Sequence, residues 1–326
     1  MSQSQKETTQ TDSVALQKIL HKLGYPDLLE KLCENISGSE LNTLLLTLMA
    51  QRAAQSSPPM LLQQYQHSRF AMPSQLPLVA FSEFELSLQK IIHAFGFQDI
   101  ILSPVAPLGS CSVVGTVHQN KILSAIRGME VMADITNAMA LEICRRKQTR
   151  EWVPATDKDT LRLFTTHRHL RTPPIQNAKF SPHFAILGCV VSGRDQGDCQ
   201  FETSVILEQL KLYKALLADH LHLSIKVKLY LREGYSALSL LQERIAKVLE
   251  ELNTSVPVEW LKPDTENAYY QGIQFKIMVV TNDQTWEVAD GGFVDWSQKL
   301  LQNKKERMLI SGLGTELLYK ILFSTE

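Results

Sequence analysis

The first part of the chain carries apolar residues at the spacing of amphipathic helices. The clearest stripe follows the i, i+3, i+4, i+7, i+8 pattern of one helix face, and comprises Leu41, Leu44, Leu45, Leu48 and Met49. A capping box at Ser37–Glu40 predicts where this helix begins. With further helical patterns at 14–33 and 60–70, the stripe predicts a small helical unit over residues 13–76. A polar, disordered tail is predicted at residues 1–12.

From residue 77 to residue 326, long amphipathic helices alternate with short runs of β-forming residues. The predicted helices are Ser82–Phe95, which opens with a second capping box (Ser82 and Glu85), Asn137–Arg146, Glu202–Leu217, Ser236–Leu252 and one at the C-terminal end. The main predicted strands are Ile100–Leu102, Leu161–Phe164, Phe184–Val191, Ser224–Leu231, Phe275–Thr281 and Met308–Ser311. This order predicts an α+β fold, in which helices flank an antiparallel sheet.

One hairpin organises this second part of the sequence. The strands Leu161–Phe164 and Phe184–Val191 flank a polar, proline-interrupted turn that is too short for a helix. A second stretch, Ala289–Tyr319, begins with a Gly-Gly pair that predicts a turn, and continues with a helix and a short strand. We expect the polar residues beside these turns to form the functional site.

Composition restricts the class of protein further. Of the 326 residues, 44% are apolar and 21% are charged, as in ordinary globular proteins, and the net charge is −1. Such a balance gives no electrostatic footprint for nucleic acid and argues against tRNA binding. The five cysteines are odd in number and form no CxxC pair, which predicts reduced thiols instead of disulfides or zinc. The sequence shows neither a signal peptide nor an apolar run of membrane-spanning length, so a cytoplasmic protein without a membrane partner is expected.

Five motifs, in the right order, resemble the core of class II aminoacyl-tRNA synthetases, histidyl subgroup. Motif 2 is similar to Arg168-His169-Leu170-Arg171 followed by Phe184 and Leu187–Gly193, and motif 3 to Gly312–Leu317. The remaining pieces are Gly291–Asp295, Ala133–Thr136 and Tyr269–Gly272. The helix Ser82–Phe95 and the following strand resemble motif 1. The resemblance implies a class II synthetase-like antiparallel sheet and a homodimer formed through motif 1. The anticodon-binding domain that follows motif 3 in histidyl enzymes is not expected in this sequence.

The same resemblance implies a role for each candidate site residue. The amino-acid side would use Asp134 and Thr136 for an ammonium group and Tyr269 and Tyr270 as ring walls. Ile186 and Val190 would contact the ligand at the positions where the family reads the imidazole ring. The remnants of a nucleotide site would be Arg168, at a phosphate, with His183, Phe184 and Glu316; of these, Phe184 stands where the family stacks adenine. If the site were active, Arg168 would be its catalytic residue.

Several charged groups of the family are replaced in this sequence. Leu170, Leu317 and Thr265 stand where the family has a glutamate and two arginines that hold ATP or the reacting carboxylate. Each missing charge-assisted hydrogen bond is worth about 1.5–3 kcal/mol, so their joint loss argues against adenylation. Val190 and Ile186 replace the residues that read an imidazole ring, which favours a smaller or more apolar ligand than histidine.

These features favour a synthetase paralogue without aminoacylation activity. The nearest kind is the regulatory subunit of ATP phosphoribosyltransferase, which implies an amino-acid-like ligand and a partner enzyme. A first alternative is a tRNA-independent, adenylate-forming amino-acid ligase, for which ATP and Mg²⁺ would be the cofactors. A second alternative is a non-catalytic interaction scaffold. The pairs His167-x-His169 and His220-x-His222 have no evident third ligand, so no metal site is predicted.

Overall fold

The computed structural model describes residues 14–174, 180–253, 256–262, 269–281 and 284–323. The chain divides into two compact units, Met1–His67 with Ile126–Gly128, and Ser68–Ala125 with Met129–Glu326. The tail predicted at 1–12 and the position of Thr265 lie outside the described residues. The boundary predicted between residues 76 and 77 stays a prediction.

The first unit is helical where the structure describes it. Its helices are α1 (14–23), α2 (Leu28–Glu34), α3 (Gly38–Ala54) and α4 (Pro58–His67). The capping box predicted for α3 is confirmed, since the Glu40 amide donates to Ser37 Oγ at 3.2 Å and the Ser37 amide donates to Glu40 Oε2 at 2.7 Å. α2, α3 and α4 contain no buried residue, although the apolar stripe runs along α3.

The second unit is built on one large sheet. Its strands are β1 (Gln98–Asp99), β2 (Val105–Pro107), β3 (Ser124–Ala125), β4 (Met129–Val131), β5 (Leu161–Leu170), β6 (His183–Arg194), β7 (Ser224–Arg232), β8 (Val258–Leu261), β9 (Gln271–Val280), β10 (Thr285–Val294) and β11 (Glu306–Leu313). Eight of them form a sheet in the order β1-β5-β6-β11-β10-β9-β7-β8, and β2-β4-β3 form a small second sheet. The large sheet is antiparallel except at its two edges, where β1 pairs with β5 and β7 with β8 in parallel.

Helices cover both faces of the large sheet, which confirms the predicted α+β fold. They are α5 (Leu78–Ala94), α6 (Ile135–Gln148), α7 (Gln200–Tyr213), α8 (Leu238–Asn253), α9 (Trp296–Leu301) and α10 (Thr315–Phe323). A π-helical segment, Lys214–His220, prolongs α7. Among the described residues, no helix combines the length and the apolarity that crossing a membrane requires.

The strands divide their side chains between two cores, because successive residues of a strand point to opposite faces. On β6, Leu187, Cys189 and Val191 join the core beneath α5, α7, α8 and α10. Ile186 and Val190 join a second core beneath α6 and α9, here called the α6 face. This alternation decides which polar side chains of β5 and β6 can reach the site described below.

The Gly-Gly pair predicted as a turn lies inside β10 instead. A Cβ atom at Gly291 would stand 2.5 Å from Phe275 Cζ on the neighbouring strand β9. Gly292 pairs with Ile310 of β11 in the same ladder. Glycine is needed here because the neighbouring strands leave no room for a side chain.

Two further predictions of local structure are wrong. α5 begins at Leu78, and Ser82 lies inside it with its hydroxyl donating to the Leu78 carbonyl at 2.8 Å. Glu85 is therefore not part of a capping box, and it accepts the Thr315 hydroxyl at 2.7 Å. The strand predicted at Ile100–Leu102 is also misplaced, since β1 ends before it, at Asp99.

Candidate functional site

Two adjoining cavities lie where β6, β10 and β11 approach α6 and α10. The smaller, here called the Asp134 cavity, has a volume of about 400 Å³, and the larger, the Phe184 cavity, about 670 Å³. Both are lined by the same five residues at their boundary: Arg171, Pro173, Ile186, Asp290 and Gly312. The two spaces can therefore hold neighbouring parts of one ligand, or two ligands in contact.

Asp134 lines the smaller cavity but is largely occupied by its own protein. It is the N-cap of α6, where its Oδ1 accepts from the Thr136 amide at 2.8 Å and the Thr136 hydroxyl at 2.7 Å. Its Oδ2 accepts a hydrogen bond from the Tyr269 hydroxyl. Burial and the nearby Asp134 raise the pKa of Tyr269, so this hydroxyl remains a donor. These bonds fix the start of α6 at the cavity wall.

A second carboxylate, Asp290, was not predicted from the sequence. It stands on β10, lines both cavities and accepts the Tyr270 hydroxyl through Oδ2 at 3.0 Å. Among the described residues, Tyr270 is its only hydrogen-bond donor. Burial raises the pKa of Asp290 to about 6. The signal that could have found it is an acid within the apolar run of a strand, directly before the Gly-Gly pair.

The two arginines of the hairpin lie on opposite sides of the sheet. Arg168 pairs with Ala185 in the β5–β6 ladder, and its guanidinium bonds to Glu316 Oε2 at 2.7 Å. It lines neither cavity, whereas Arg171 lines both. Arg171 also lies over the Phe184 ring, 5.4 Å from its centroid. The structure therefore places Arg171, and not Arg168, at the wall of both cavities, and a phosphate contact of Arg168 stays a prediction.

Of the other predicted nucleotide-site residues, Phe184 and Glu316 line the larger cavity. Glu316 is 2% exposed and already accepts bonds from Arg168, Lys320 at 2.9 Å and Ser74 at 3.2 Å. Burial opposes its ionisation, but Lys320 and Arg168 outweigh that effect and hold the pKa of Glu316 below its ordinary value. Leu317, where the family has an arginine, adds an apolar wall to the same cavity.

The residues predicted for the amino-acid side are brought together, with one exception. Thr136, Ile186, Tyr269 and Tyr270 line the Asp134 cavity with Asp134 itself. The two tyrosine rings meet edge to face, with centroids 4.9 Å apart. Val190 lines neither cavity, because it is fully buried in the core beneath α6.

Residues 68–77, here called the 68–77 segment, contact the rim of the larger cavity. The Arg69 guanidinium donates to the carbonyl of Pro173 at 3.0 Å and to the carbonyl of Thr172. His183, predicted at a phosphate, instead donates through Nε2 to the Met72 carbonyl at 2.6 Å. Ser74 supplies the third contact, to Glu316. These bonds connect the segment to both the hairpin and α10.

No model of a known protein family matches the sequence, and no curated protein sequence matches it. Solved structures do match the fold. Histidyl-tRNA synthetase from S. aureus, without ligand, has a TM-score of 0.56 and 12% identity, over 77% of this chain and 68% of that one. An ATP phosphoribosyltransferase regulatory subunit/histidyl-tRNA synthetase from Bacillus halodurans C gives 0.58 and 16%, over 80% and 84%.

A third match is the RNA binding domain of threonyl-tRNA synthetase from Cryptosporidium parvum Iowa II, with a TM-score of 0.59 and 9% identity. It covers 72% of this chain and 62% of that one, so this chain spans less than two thirds of its length. At these identities the matches show the fold alone. The second unit has a class II synthetase-like fold, as the motif order predicted.

Proposed function

We propose that this chain is a synthetase-like paralogue that binds an amino-acid-like small molecule in the Asp134 cavity and does not aminoacylate tRNA. In this proposal it acts in the cytoplasm as a regulatory or accessory subunit of a metabolic enzyme, and as a homodimer. One observation carries the proposal: Asp290 and Arg171, of opposite charge, both stand at the boundary of the two cavities.

An α-amino acid carries both a cation and an anion, and this boundary offers a partner for each. Asp290 has one oxygen bonded to Tyr270 and lines the cavity with a charge that suits an ammonium group. Arg171 presents a guanidinium, which binds carboxylates through two hydrogen bonds. Asp134, Thr136 and Tyr269 support this wall from the start of α6.

Apart from the polar residues Lys121 and Ser311, much of the remaining lining of the Asp134 cavity is apolar and favours a small or apolar side chain. Val117, Ile122, Ile186 and Ile310 line it and offer no hydrogen-bonding group from their side chains. A ligand with a second polar ring nitrogen would have to leave that group unpaired against them, which costs binding energy. Histidine is therefore a poor candidate, and a cavity of about 400 Å³ suits a single amino acid.

The Phe184 cavity supports the absence of adenylation. Its buried acid, Glu316, is already neutralised by Arg168 and Lys320. Leu317 offers an apolar contact where the family uses an arginine for ATP. Arg171 then remains as the cation best placed to meet a phosphate, and one cation is a weak means of holding a triphosphate.

The regulatory role rests on the likeness in fold to the Bacillus halodurans protein, which is described as an ATP phosphoribosyltransferase regulatory subunit/histidyl-tRNA synthetase. Fold alone does not determine function, so this step is a proposal by analogy. It predicts a partner enzyme whose activity changes when an amino acid fills the Asp134 cavity.

Thermal-shift and calorimetric titrations with each of the twenty standard L-amino acids test ligand binding. At least one should raise the unfolding temperature of the wild type, and Asp290→Asn should lose that shift, because its neutral amide cannot balance an ammonium charge. Asp219→Asn makes the same substitution at an exposed position outside both cavities, so it serves as the matched control and should keep the shift. A wild type that responds to none of the twenty contradicts the proposal.

A tRNA-independent amino-acid ligase is the second candidate. The observation that favours it is the Phe184 cavity, which adjoins the Asp134 cavity. There the Arg171 guanidinium lies over the Phe184 ring, and it could stack on an adenine ring in the same way. ATP–pyrophosphate exchange in the presence of Mg²⁺ separates the two functions. Exchange that depends on an amino acid and disappears in Arg171→Ala would establish the ligase and exclude the regulatory proposal.

A further inference from the structure

His169 is a buried imidazole at the wall of the Asp134 cavity. It is 2% exposed, it stands near the end of β5, and it lines this cavity together with Arg171. Because successive side chains of a strand point to opposite faces, His169 lies on the same side of the sheet as Arg171, two residues later, and on the opposite side from Arg168. The imidazole therefore faces the α6 side, where the site is.

One ring nitrogen is engaged in a way that fixes the tautomer. The amide of Ile135, the first residue of α6, donates to His169 Nε2 at 3.2 Å. An accepting nitrogen carries no proton, so in the neutral ring the proton is on Nδ1. Burial, with smaller contributions from the nearby Arg171 and His167, lowers the pKa of His169 to about 3, so the neutral ring persists.

The protonated nitrogen has no partner. Among the residues that the structure describes, no group accepts a hydrogen bond from Nδ1, which is itself shielded from solvent. Buried donors are nearly always paired in native proteins, so a donor without a protein partner at a cavity wall is available to a bound ligand or to an ordered water. The donor is neutral and fixed, whereas Arg171 beside it is charged and exposed.

We propose that His169 is a ligand-binding residue of the Asp134 cavity, whose Nδ1–H donates to a carboxylate oxygen of the bound amino acid. The inference deepens the proposed function and rests on it. Arg171 and His169 would share the two carboxylate oxygens, and Asp290 would face the ammonium group from β10. This arrangement selects an α-amino acid over the corresponding amine, because an amine leaves the Nδ1–H without an acceptor.

Two conservative substitutions separate the roles of the ring nitrogens. His169→Gln places an amide near the position of Nε2, so its oxygen can still accept from Ile135, but the donor at Nδ1 is lost. His169→Asn places an amide near Nδ1 and keeps a donor there, but gives up the bond to Ile135. A purely structural His169 should therefore be more sensitive to Asn, and a ligand-binding His169 to Gln.

The experiment titrates wild type, His169→Gln and His169→Asn in the full chain with each of the twenty L-amino acids. For every amino acid that binds, the decarboxylated amine is titrated in parallel. We expect His169→Gln to weaken amino-acid binding by about tenfold or more, the typical effect of one lost hydrogen bond to a charged group. The same substitution should leave the affinity for the amine unchanged, and His169→Asn should retain more of the affinity for the amino acid.

The outcomes distinguish a failure of the proposed function from a failure of the role proposed for His169. If the wild type binds no amino acid, the proposed function fails and this inference fails with it. If the wild type binds and His169→Gln binds equally well, or loses amino acid and amine to the same extent, the proposed function stands and the role of His169 is refuted. Should His169→Gln not fold, ¹⁵N-histidine NMR of the wild type replaces it: the Nδ1 resonance must shift when the amino acid is added, and an unchanged resonance refutes the inference.

Discussion

The two carboxylates of the Asp134 cavity differ in how far their oxygens are already bonded within the protein. Asp134 accepts three hydrogen bonds from Thr136 and Tyr269, whereas Asp290 accepts one from Tyr270. Asp134 therefore holds the architecture of the cavity, and Asp290 keeps capacity for a ligand. The Asp290 carboxylate is buried, and burial disfavours its charged form, which raises the pKa of Asp290 to about 6.

Replacing Asp290 by Asn should stabilise the ligand-free protein near neutral pH. Because the folded-state pKa is raised above the ordinary value, the folded state binds more protons between about pH 4 and pH 6, and stability falls as pH rises through this window. Removing the charge should recover about 2–3 kcal/mol at pH 7.5, and almost nothing at pH 4. Urea unfolding of both proteins at the two pH values measures this, and a variant less stable than the wild type at pH 7.5 contradicts it.

The two hairpin arginines should respond oppositely to alanine substitution. Arg168→Ala leaves the buried Glu316 with one charged partner fewer, and should reduce the free energy of unfolding by about 1–2 kcal/mol. Arg171→Ala removes an exposed side chain and should change stability by less than about 0.5 kcal/mol, but should abolish amino-acid binding. Urea unfolding together with calorimetric titration tests the pair, and equal effects of both variants on binding would refute this assignment.

Only part of the cavity lining could be predicted from the sequence. Asp134, Thr136, Tyr269 and Tyr270 were predicted and share one cavity. The resemblance singled out Arg168, whereas Arg171 lines both cavities. The two stand three residues apart, and a shift by an odd number of residues along a strand reverses the face. His169 was considered only as one member of a histidine pair, since its bond to the start of α6 joins residues far apart in sequence.

The packing of α6 on β6 fixes the cavity wall at the level of secondary-structure elements. Gly188 lies on β6 beneath the first turn of α6, and a Cβ atom there would stand 2.7 Å from Ile135 Cδ1. That contact is below van der Waals distance. Since the adjacent Asp134 caps α6, the same glycine also sets the depth of the cavity.

Gly188→Ala should therefore push α6 outward. We expect a loss of about 1–3 kcal/mol in the free energy of unfolding, and weaker amino-acid binding, because Asp134 and Thr136 move with the helix. Gly312→Ala is the matched control for stability, since its Cβ would meet Ile186 Cγ2 at an ordinary 3.5 Å. Thermal unfolding of both variants tests the prediction, which fails if the control is destabilised as much as Gly188→Ala.

Helix starts show how far local sequence determines an element. The capping box at Ser37 and Glu40 forms as predicted, and an equally good pattern at Ser82 and Glu85 does not. The difference is tertiary: Glu85 is bonded to Thr315 of α10, and α5 extends N-terminally to Leu78. A four-residue pattern contains no information about such a distant partner.

The whole chain combines two units of unequal packing. In the first unit, α2, α3 and α4 bury no residue, whereas most residues of strands such as β6 and β11 are buried. Helices without buried apolar contacts open locally at low free-energy cost. The apolar stripe along α3 identified the helix correctly, but could not reveal that Leu44, Leu48 and Met49 stay exposed and that Leu41 and Leu45 are only half-buried, because burial depends on the rest of the fold.

Amide hydrogen exchange should reproduce this division. Residues 38–54 of α3 should exchange orders of magnitude faster than residues 183–194 of β6 under the same native conditions. Mass spectrometry of peptides from a pulse-labelling series measures both regions in one sample. Equal protection of α3 and β6 would mean that the helical unit is covered by another surface in solution.

The fold of the second unit could be predicted because motif order carries long-range information that composition lacks. Five short motifs in sequence implied the antiparallel sheet, and the structure confirms it with matches to synthetases at TM-scores of 0.56 to 0.59. The Gly-Gly pair shows the corresponding limit. Its position inside β10 follows from close contacts with β9 and β11, which no local pattern specifies.

The contacts of the 68–77 segment restrict how this protein can be recombined. Arg69, Met72 and Ser74 bond to the hairpin and to Glu316. Residues that precede α5 in the sequence therefore contact the cavity rim. A chimaera that exchanges the N-terminal helices at residue 77 would discard these partners and expose the Thr172 and Pro173 carbonyls, the His183 ring and Glu316 to new neighbours. A chimaera joined at residue 68 would keep Arg69, Met72 and Ser74 together with the hairpin and Glu316, so residue 68 is the better junction for exchanging the N-terminal helices.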